Sequence, residues 1–294
     1  MRRVLISVFV CFLAICSLTQ YLFAAELKLG VNAPRGELNA KKRWSELAKY
    51  LSGQLGQTVT LIPLHPSKVV SSTMEREVDF ILSHAAHTIN LQERHGSTPI
   101  ATINGNHGPW FAGVIIAKKG SGIRTAEDLR GKKVMSMKFR AAAGAYMFQT
   151  YHLLKKGIDP HKDFGSIQWV EKQDDLVLAI KLGLIDAGFI RTGMLESMEK
   201  EGRIKMADFV VVDERQGDEM SLVHTTDLYP EWYFSIMSNV SKDTAAKVKA
   251  ALVAITDTMP AAQAARVRGF VDPLPLDEMR GLLKTLNLPP YKTL

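Results

Sequence analysis

From residue 27 onward the chain alternates short runs of period-two hydrophobicity with longer runs in which apolar residues return every three or four positions. Leu27, Leu29 and Val31 alternate with Lys28 and Gly30, which predicts a strand. Trp44, Leu47, Ala48, Leu51 and Leu55 then fall on one helical face, which places Trp44 in the core. A second strand around Val59 and Leu61, a short helix through Val70, Met74 and Val78, and the apolar run at 80–82 complete a βαβαβ beginning. That order implies a mainly parallel sheet with helices on its faces. Ligands of such sheets collect beyond the carboxyl ends of the strands.

After the glycine-rich passage NGNHGPWFAG a second set of elements starts. Strands are expected at 114–117 and 134–137, with Thr125 and Asp128 as a capping box opening a short helix that ends near Gly131. A helix over 142–156 is closed by Gly157 and Pro160. Asp174 reads as the cap of a helix carrying Leu176, Val177 and Ile180, which leads into a strand at 187–190. The chain returns through LVHTTDLYPEWYFSIM to helices over 242–258 and 276–286, and no segment repeats another. Two α/β units joined by crossings near 108–114 and 224–236 predict a bilobed protein with one lobe inserted in the other. Residues 26–111 and 230–294 are expected to form lobe 1, and 112–229 lobe 2. A cleft that closes by a hinge on a small molecule follows.

The first 25 residues change the compartment. Arg2 and Arg3 precede an uncharged stretch from Val4 to Ala25, which reads as an N-terminal signal peptide directing export. The same stretch is just long enough to serve as an uncleaved anchor, and lipid attachment at Cys16 is opposed by the bulky Ile15. Cys11 and Cys16 are the two cysteines, so a chain cleaved after residue 25 can form no disulfide and offer no thiolate. With 46% hydrophobic and 23% charged positions over 294 residues, the chain has the composition of a folded protein. The formal net charge of +7 falls to +5 once Arg2 and Arg3 are removed. The remaining basic pairs, such as Lys41 with Lys42 and Lys155 with Lys156, are scattered among acids, which argues against a nucleic-acid partner. A mild positive field still assists capture of a small anion.

Position in the fold singles out a few chemical groups. His84 and His87 follow the strand at 80–82, and His107 sits in the glycine-rich crossing; as imidazoles they could donate to an anion. Zinc is the alternative, but no acid completes a ligand spacing. The other histidines have no positional argument. Asn32 and Arg35 flank Pro34 where the first strand ends, and Trp110 with Phe111 either walls the ligand or packs the hinge. Arg191 ends the strand at 187–190, and its guanidinium fork fits a carboxylate or an oxyanion; the alternative is an arginine paired with Asp186 or Glu196. GxSxG and HExxH motifs are absent, so no enzymatic activity, cofactor or metal is expected.

In order along the chain, VDFILSHAAHTINLQERHGSTPIATI, IRTAEDLRGKKV, LLKKGIDP, AIKLGLIDAGFIRTG and LYPEWYFSI resemble the phosphonate-binding family of periplasmic solute-binding proteins. The resemblance is closer still to the sensor domains that precede the membrane span of tetrathionate-type sensor kinases. It implies a type II bilobed periplasmic-binding-protein fold and a small anionic ligand, phosphate- or phosphonate-like or another oxyanion. The implied partner is the membrane permease of an ABC transporter or, alternatively, a two-component membrane sensor kinase. Phosphonate binders carry serine and threonine before the second-lobe helix, where this chain has Ala141, Ala142, Ala143 and Gly144. Backbone N–H groups at Ala142 and Ala143 would then be the donors left there. Aminophosphonate binders have an acid near the position of Arg191, so the preferred charge is reversed. The expected ligand-binding set is Asn32, His84, His87, Ala142, Ala143 and Arg191.

Overall fold

Period-two and helical segments assemble into two sheets joined by a ribbon, in a computed structural model that describes residues 26–75 and 78–292. The expected export signal lies outside the described residues. The chain begins with β1 (Leu27–Asn32), α1 (Glu37–Leu55), β2 (Val59–Leu64), α2 (Val69–Glu75), β3 (Phe80–Ser83), α3 (Ala85–His95) and β4 (Thr98–Asn104). It crosses through β5 (Trp110–Phe111) into β6 (Gly113–Lys118), β7 (Lys133–Ser136), α4 (Phe148–Lys155), α5 (Pro160–Asp163) and β8 (Ser166–Trp169). Next come α6 (Gln173–Leu182), β9 (Ala187–Arg191), α7 (Met194–Lys200) and β10 (Phe209–Val211). The return runs through β11 (Tyr229–Pro230) to β12 (Tyr233–Ile236), α8 (Lys242–Val253), α9 (Pro260–Ala265), β13 (Gly269–Val271) and α10 (Asp277–Thr285).

The first sheet has the order β13-β4-β12-β3-β1-β2. β1 lies between two parallel neighbours, with Leu29 opposite Leu61 of β2 and Phe80 of β3. β12 runs antiparallel between β3 and β4, and β13 is antiparallel to β4. The second sheet, β10-β6-β9-β7-β8, is parallel through β9, β7 and β8 and antiparallel where β6 meets β9 and β10. Each sheet is therefore mixed and not mainly parallel as expected: β12 and β13 of the returning chain enter the first sheet antiparallel, and β6 and β10 are antiparallel in the second. β5 and β11 pair with each other, Phe111 opposite Tyr229, so the two crossings form one antiparallel ribbon.

Burial follows the periodicities. Trp44, Leu47 and Leu51 of α1 are almost wholly buried against Leu29, Phe80 and Phe234 of the first sheet. The second sheet buries Ile115 and Phe189 on one face and Ile116 and Ile190 on the other, as a sheet covered on both sides requires. A further apolar cluster joins the lobes, with Ile89 of α3 and Leu282 of α10 meeting Met147 and Phe148 across Phe111 and Tyr229 of the ribbon. The Phe148 and Tyr229 rings stack at 3.8 Å.

Three local expectations differ. The helix expected over 142–156 is broken into a π-helical turn, Ala143–Met147, and α4, with Ala145 outside helical geometry at φ −136° and ψ 21°. The cause is Gln149, whose buried Nε2 donates to the Gly144 and Ile190 carbonyls at 3.0 and 2.7 Å and so ties the turn to β9. Gly144 also has no room for a side chain, since a Cβ would stand 2.7 Å from the Phe111 ring. Asp174 pairs with Arg203 and does not cap α6, whose N-cap is Lys172. The helix expected to reach 258 stops at Val253, and Met259 with Pro260 starts α9.

Candidate functional site

The register of the first sheet sets one wall of the site. Val31 lies opposite Leu82, so Asn32 and Ser83 stand level at the carboxyl ends of β1 and β3. Both are buried, and Asn32 Oδ1 and Ser83 Oγ have no hydrogen-bond partner among the described residues. His84 is the N-cap of α3, and its ring lies 3.8 Å from that of His87. Burial pushes His84 down to about 4, and burial with the neighbouring His84 holds His87 well below the usual imidazole range. The pair is neutral at pH 7, so it can give and take hydrogen bonds but supplies no positive charge.

Positive charge comes from the hinge side. Arg191 ends β9, where its amide donates to Gln173 Oε1 at 2.8 Å and its guanidinium covers the Phe111 ring at 5.1 Å. Its Nη2 meets Glu231 Oε1 at 3.0 Å. The partner is thus Glu231, just after the ribbon, and neither Asp186 nor Glu196; Asp186 accepts from the Lys133 amide at 2.7 Å. Arg43 joins this group from α1, with its Nε donating to the Ala265 carbonyl at 2.8 Å. Burial first, and then Arg191, push Arg43 down to about 10, with Arg266 and Arg35 acting the same way and Glu231 opposing. Arg43 stays charged at pH 7. The charges it feels most are three guanidiniums and one carboxylate, a net positive cluster that an anion would balance. Sequence reading missed Arg43 because KKRW looks like the solvated edge of an amphipathic helix. Only the packing of α1 on α9 reveals its place.

The turn before α4 is less open than expected. The Ala142 amide donates to the Lys138 carbonyl at 3.2 Å and is no free donor. Ala143 is buried in the apolar cluster between the lobes. A Cβ on Gly144 would stand 3.3 Å from the Arg191 Cβ, so the turn backs directly onto the cationic group. On its other side Ala141 and Met147 face a cavity of about 540 Å³ that His84, His87 and Asn90 line from the first lobe. The structure therefore gathers His84 and His87 at this cavity and sets Arg191 behind the turn, while Asn32, Ala142 and Ala143 do not line it. His107 bonds Ser221 Oγ at 2.9 Å on the exposed surface. Among the described residues no cluster of three or more His, Cys, Asp or Glu could hold a metal ion, and no helix is long and apolar enough to cross a membrane.

The profile described as "ABC transporter, phosphonate, periplasmic substrate-binding protein" matches residues 29–288. The tetrathionate sensor histidine kinase TtrS of Salmonella typhimurium is 29% identical over 236 residues, which cover 78% of this chain and 40% of that longer protein. Among solved structures, PhnD1 from Prochlorococcus marinus in complex with methylphosphonate superposes with a TM-score of 0.70 at 14% identity, over 89% of this chain and 98% of that one. A Xanthomonas citri protein bound to ATP gives 0.73 at 15% identity, over 90% and 98% of the two chains. A binding-protein component of a phosphonate ABC transporter from Pseudomonas aeruginosa gives 0.67 at 18%, over 87% and 85%. These likenesses identify the architecture as the type II bilobed binding fold. With nearly the whole described chain matched by a profile of binding proteins and not of enzymes, the protein belongs to the periplasmic substrate-binding family of phosphonate ABC transporters.

Proposed function

We propose that this chain captures a small anion, phosphate- or phosphonate-like or another oxyanion, in the cleft between residues 26–111 with 230–294 and residues 112–229, and delivers it to an ABC permease. The observation that carries the reading is Arg191 at the end of β9, paired with Glu231 at 3.0 Å, whose charge is felt by Arg43 of α1 in the other lobe. Such a cluster gains an electrostatic partner when an anion enters, and only a closed cleft lets both lobes contribute. The neutral His84 and His87 and the buried Asn32 are proposed to orient the ligand by hydrogen bonds. Ala142 and Ala143 are proposed to act as a close-packed apolar wall. Residues 1–25 are proposed as the cleaved export signal, which N-terminal sequencing of the secreted protein tests.

A thermal-shift screen of anions, followed by calorimetry on the hits, tests the capture reading, since a ligand that binds the native state alone raises the melting temperature. Absence of any anion-dependent shift would refute it. A second reading, ligand sensing in partnership with a two-component kinase, is favoured by the likeness to a sensor kinase. Deleting the gene separates the two: loss of ligand uptake supports transport, and loss of ligand-dependent transcription with uptake intact supports sensing.

A further inference from the structure

At the mouth of the cavity one side chain reaches from lobe 2 to lobe 1. Arg140, in the turn between β7 and α4, has φ 61°, and Asn287, just beyond α10, has φ 47°. Asparagine tolerates such left-handed angles, but they are costly for an arginine, so something must hold Arg140 in place. The hold comes from the other lobe: Arg140 Nη2 donates to the Asn287 carbonyl at 2.8 Å. Arg140 lines the cavity there together with Leu288 and Pro289. The segment that receives it is anchored on lobe 1. Arg94 of α3 donates to the Pro290 carbonyl at 3.2 Å, Arg280 of α10 to Gln92 Oε1 at 2.6 Å, and the Leu288 amide to the Leu283 carbonyl at 2.9 Å. On the lobe 2 side, the Ala141 and Ala142 amides bond back to the Lys138 carbonyl and close the turn that presents Arg140. Each side is thus fixed to its own lobe, and the bond between them spans the cleft. Below it, Met147 meets Leu283 and Leu288 in the apolar cluster that joins the lobes. Apolar contact is non-directional and lets the surfaces slide, whereas the hydrogen bond from Arg140 forms in one relative position of the lobes. Arg140 and Asn287 are both exposed, so water takes over each group when they part, and the contact can be made and broken.

Going beyond the capture reading, we infer that Arg140 is a latch between the lobes, engaged in this structure and released when the cleft opens, so that it sets how much of the ligand-free protein is closed. Its left-handed backbone favours release, which frees residue 140 to return to ordinary angles, and the charge-assisted bond opposes that bias. Two opposing terms of this kind leave neither form empty. Closed and open lobes then coexist before any ligand arrives, and a bound anion shifts a balance already present.

Pulsed electron paramagnetic resonance on the ligand-free protein tests this. Nitroxides on Lys68→Cys and Glu171→Cys, exposed positions beyond the carboxyl ends of β2 and β8, report the distance across the cleft, with Cys11 and Cys16, the two cysteines of the chain, replaced by Ser. Arg140→Met keeps the bulk at the cavity mouth and removes the donors, and it should lower the ratio of short to long distances about fivefold or more. Arg140→Gly suits the left-handed backbone, so the turn keeps its fold, and it should lower the ratio likewise. Arg94→Met cuts a bond to the same segment from within lobe 1 and should leave the ratio as in the wild type. A ratio unchanged in both Arg140 variants, or lowered as much by Arg94→Met, overturns the latch. Neither outcome touches anion capture, which the thermal-shift screen tests on its own.

Discussion

Acid should destabilise this protein through two buried imidazoles before its carboxylates titrate. His84 is held at about 4 by burial, against an ordinary value of 6.5. The unfolded chain therefore takes up the proton first, and stability present above pH 6.5 is lost as the pH falls toward 4. The full difference corresponds to about 3 kcal/mol for His84 alone. Integrated between pH 7 and pH 5 it amounts to about 2 kcal/mol. His87, also held well below the usual range by burial, acts in the same direction, as does His152, lowered by burial. Asp213, Asp218 and Asp227 are held below the ordinary carboxylate value, so their contribution is lost only at lower pH, outside this window. Urea unfolding of the ligand-free protein should show a midpoint at pH 5 lower than at pH 7 by about 1 M, given slopes of about 1–3 kcal/mol/M. The double variant His84→Gln, His87→Gln removes both titrating rings and should show a smaller drop than the wild type, with His152 still contributing. An equal drop in the double variant and the wild type would refute the reasoning and place the acid sensitivity elsewhere.

Truncating Arg191 to Ala should weaken anion binding by about 2 kcal/mol, the low end of the range for breaking a buried charge pair because Arg43 remains; Arg191→Lys should restore part of it, and equal affinities by calorimetry would make Arg191 structural. Glu231→Gln should do the opposite, tightening anion binding at least about threefold, since it removes a like charge beside the ligand; an unchanged or weaker affinity counts against the cluster. Gly188→Ala should cost about 1–3 kcal/mol in urea unfolding with little effect on binding, because its Cβ would stand 2.4 Å from Leu176 on the covering helix. Small-angle scattering should show a smaller radius of gyration with a bound anion, and no change in the presence of proven binding would exclude hinge closure.

Much of this protein is legible from local pattern alone. β1, α1, β2, β3, β7 and β9 stand close to where alternation and helical spacing put them, because which face of a strand or helix is apolar is written within a few residues. The order of strands and helices also put His84, His87 and Arg191 at strand ends, whereas the mainly parallel sheet it implied is overturned by the antiparallel strands β6, β10, β12 and β13. Everything that depends on distant partners was decided by the tertiary structure. β12 inserts antiparallel between β3 and β4 because its partners lie more than a hundred residues away. Arg43 enters the proposed site only through tertiary packing, with Ala265, 222 positions on, accepting its hydrogen bond. Glu231, and not a nearby acid, meets Arg191 because the crossing ribbon carries it there. The turn before α4 is wound wide by Gln149 reaching the Ile190 carbonyl, 41 positions away, which no helix propensity could foresee. Periodicity records what each segment must bury, whereas charge pairing and cavity shape arise only when segments remote in the chain are packed against one another.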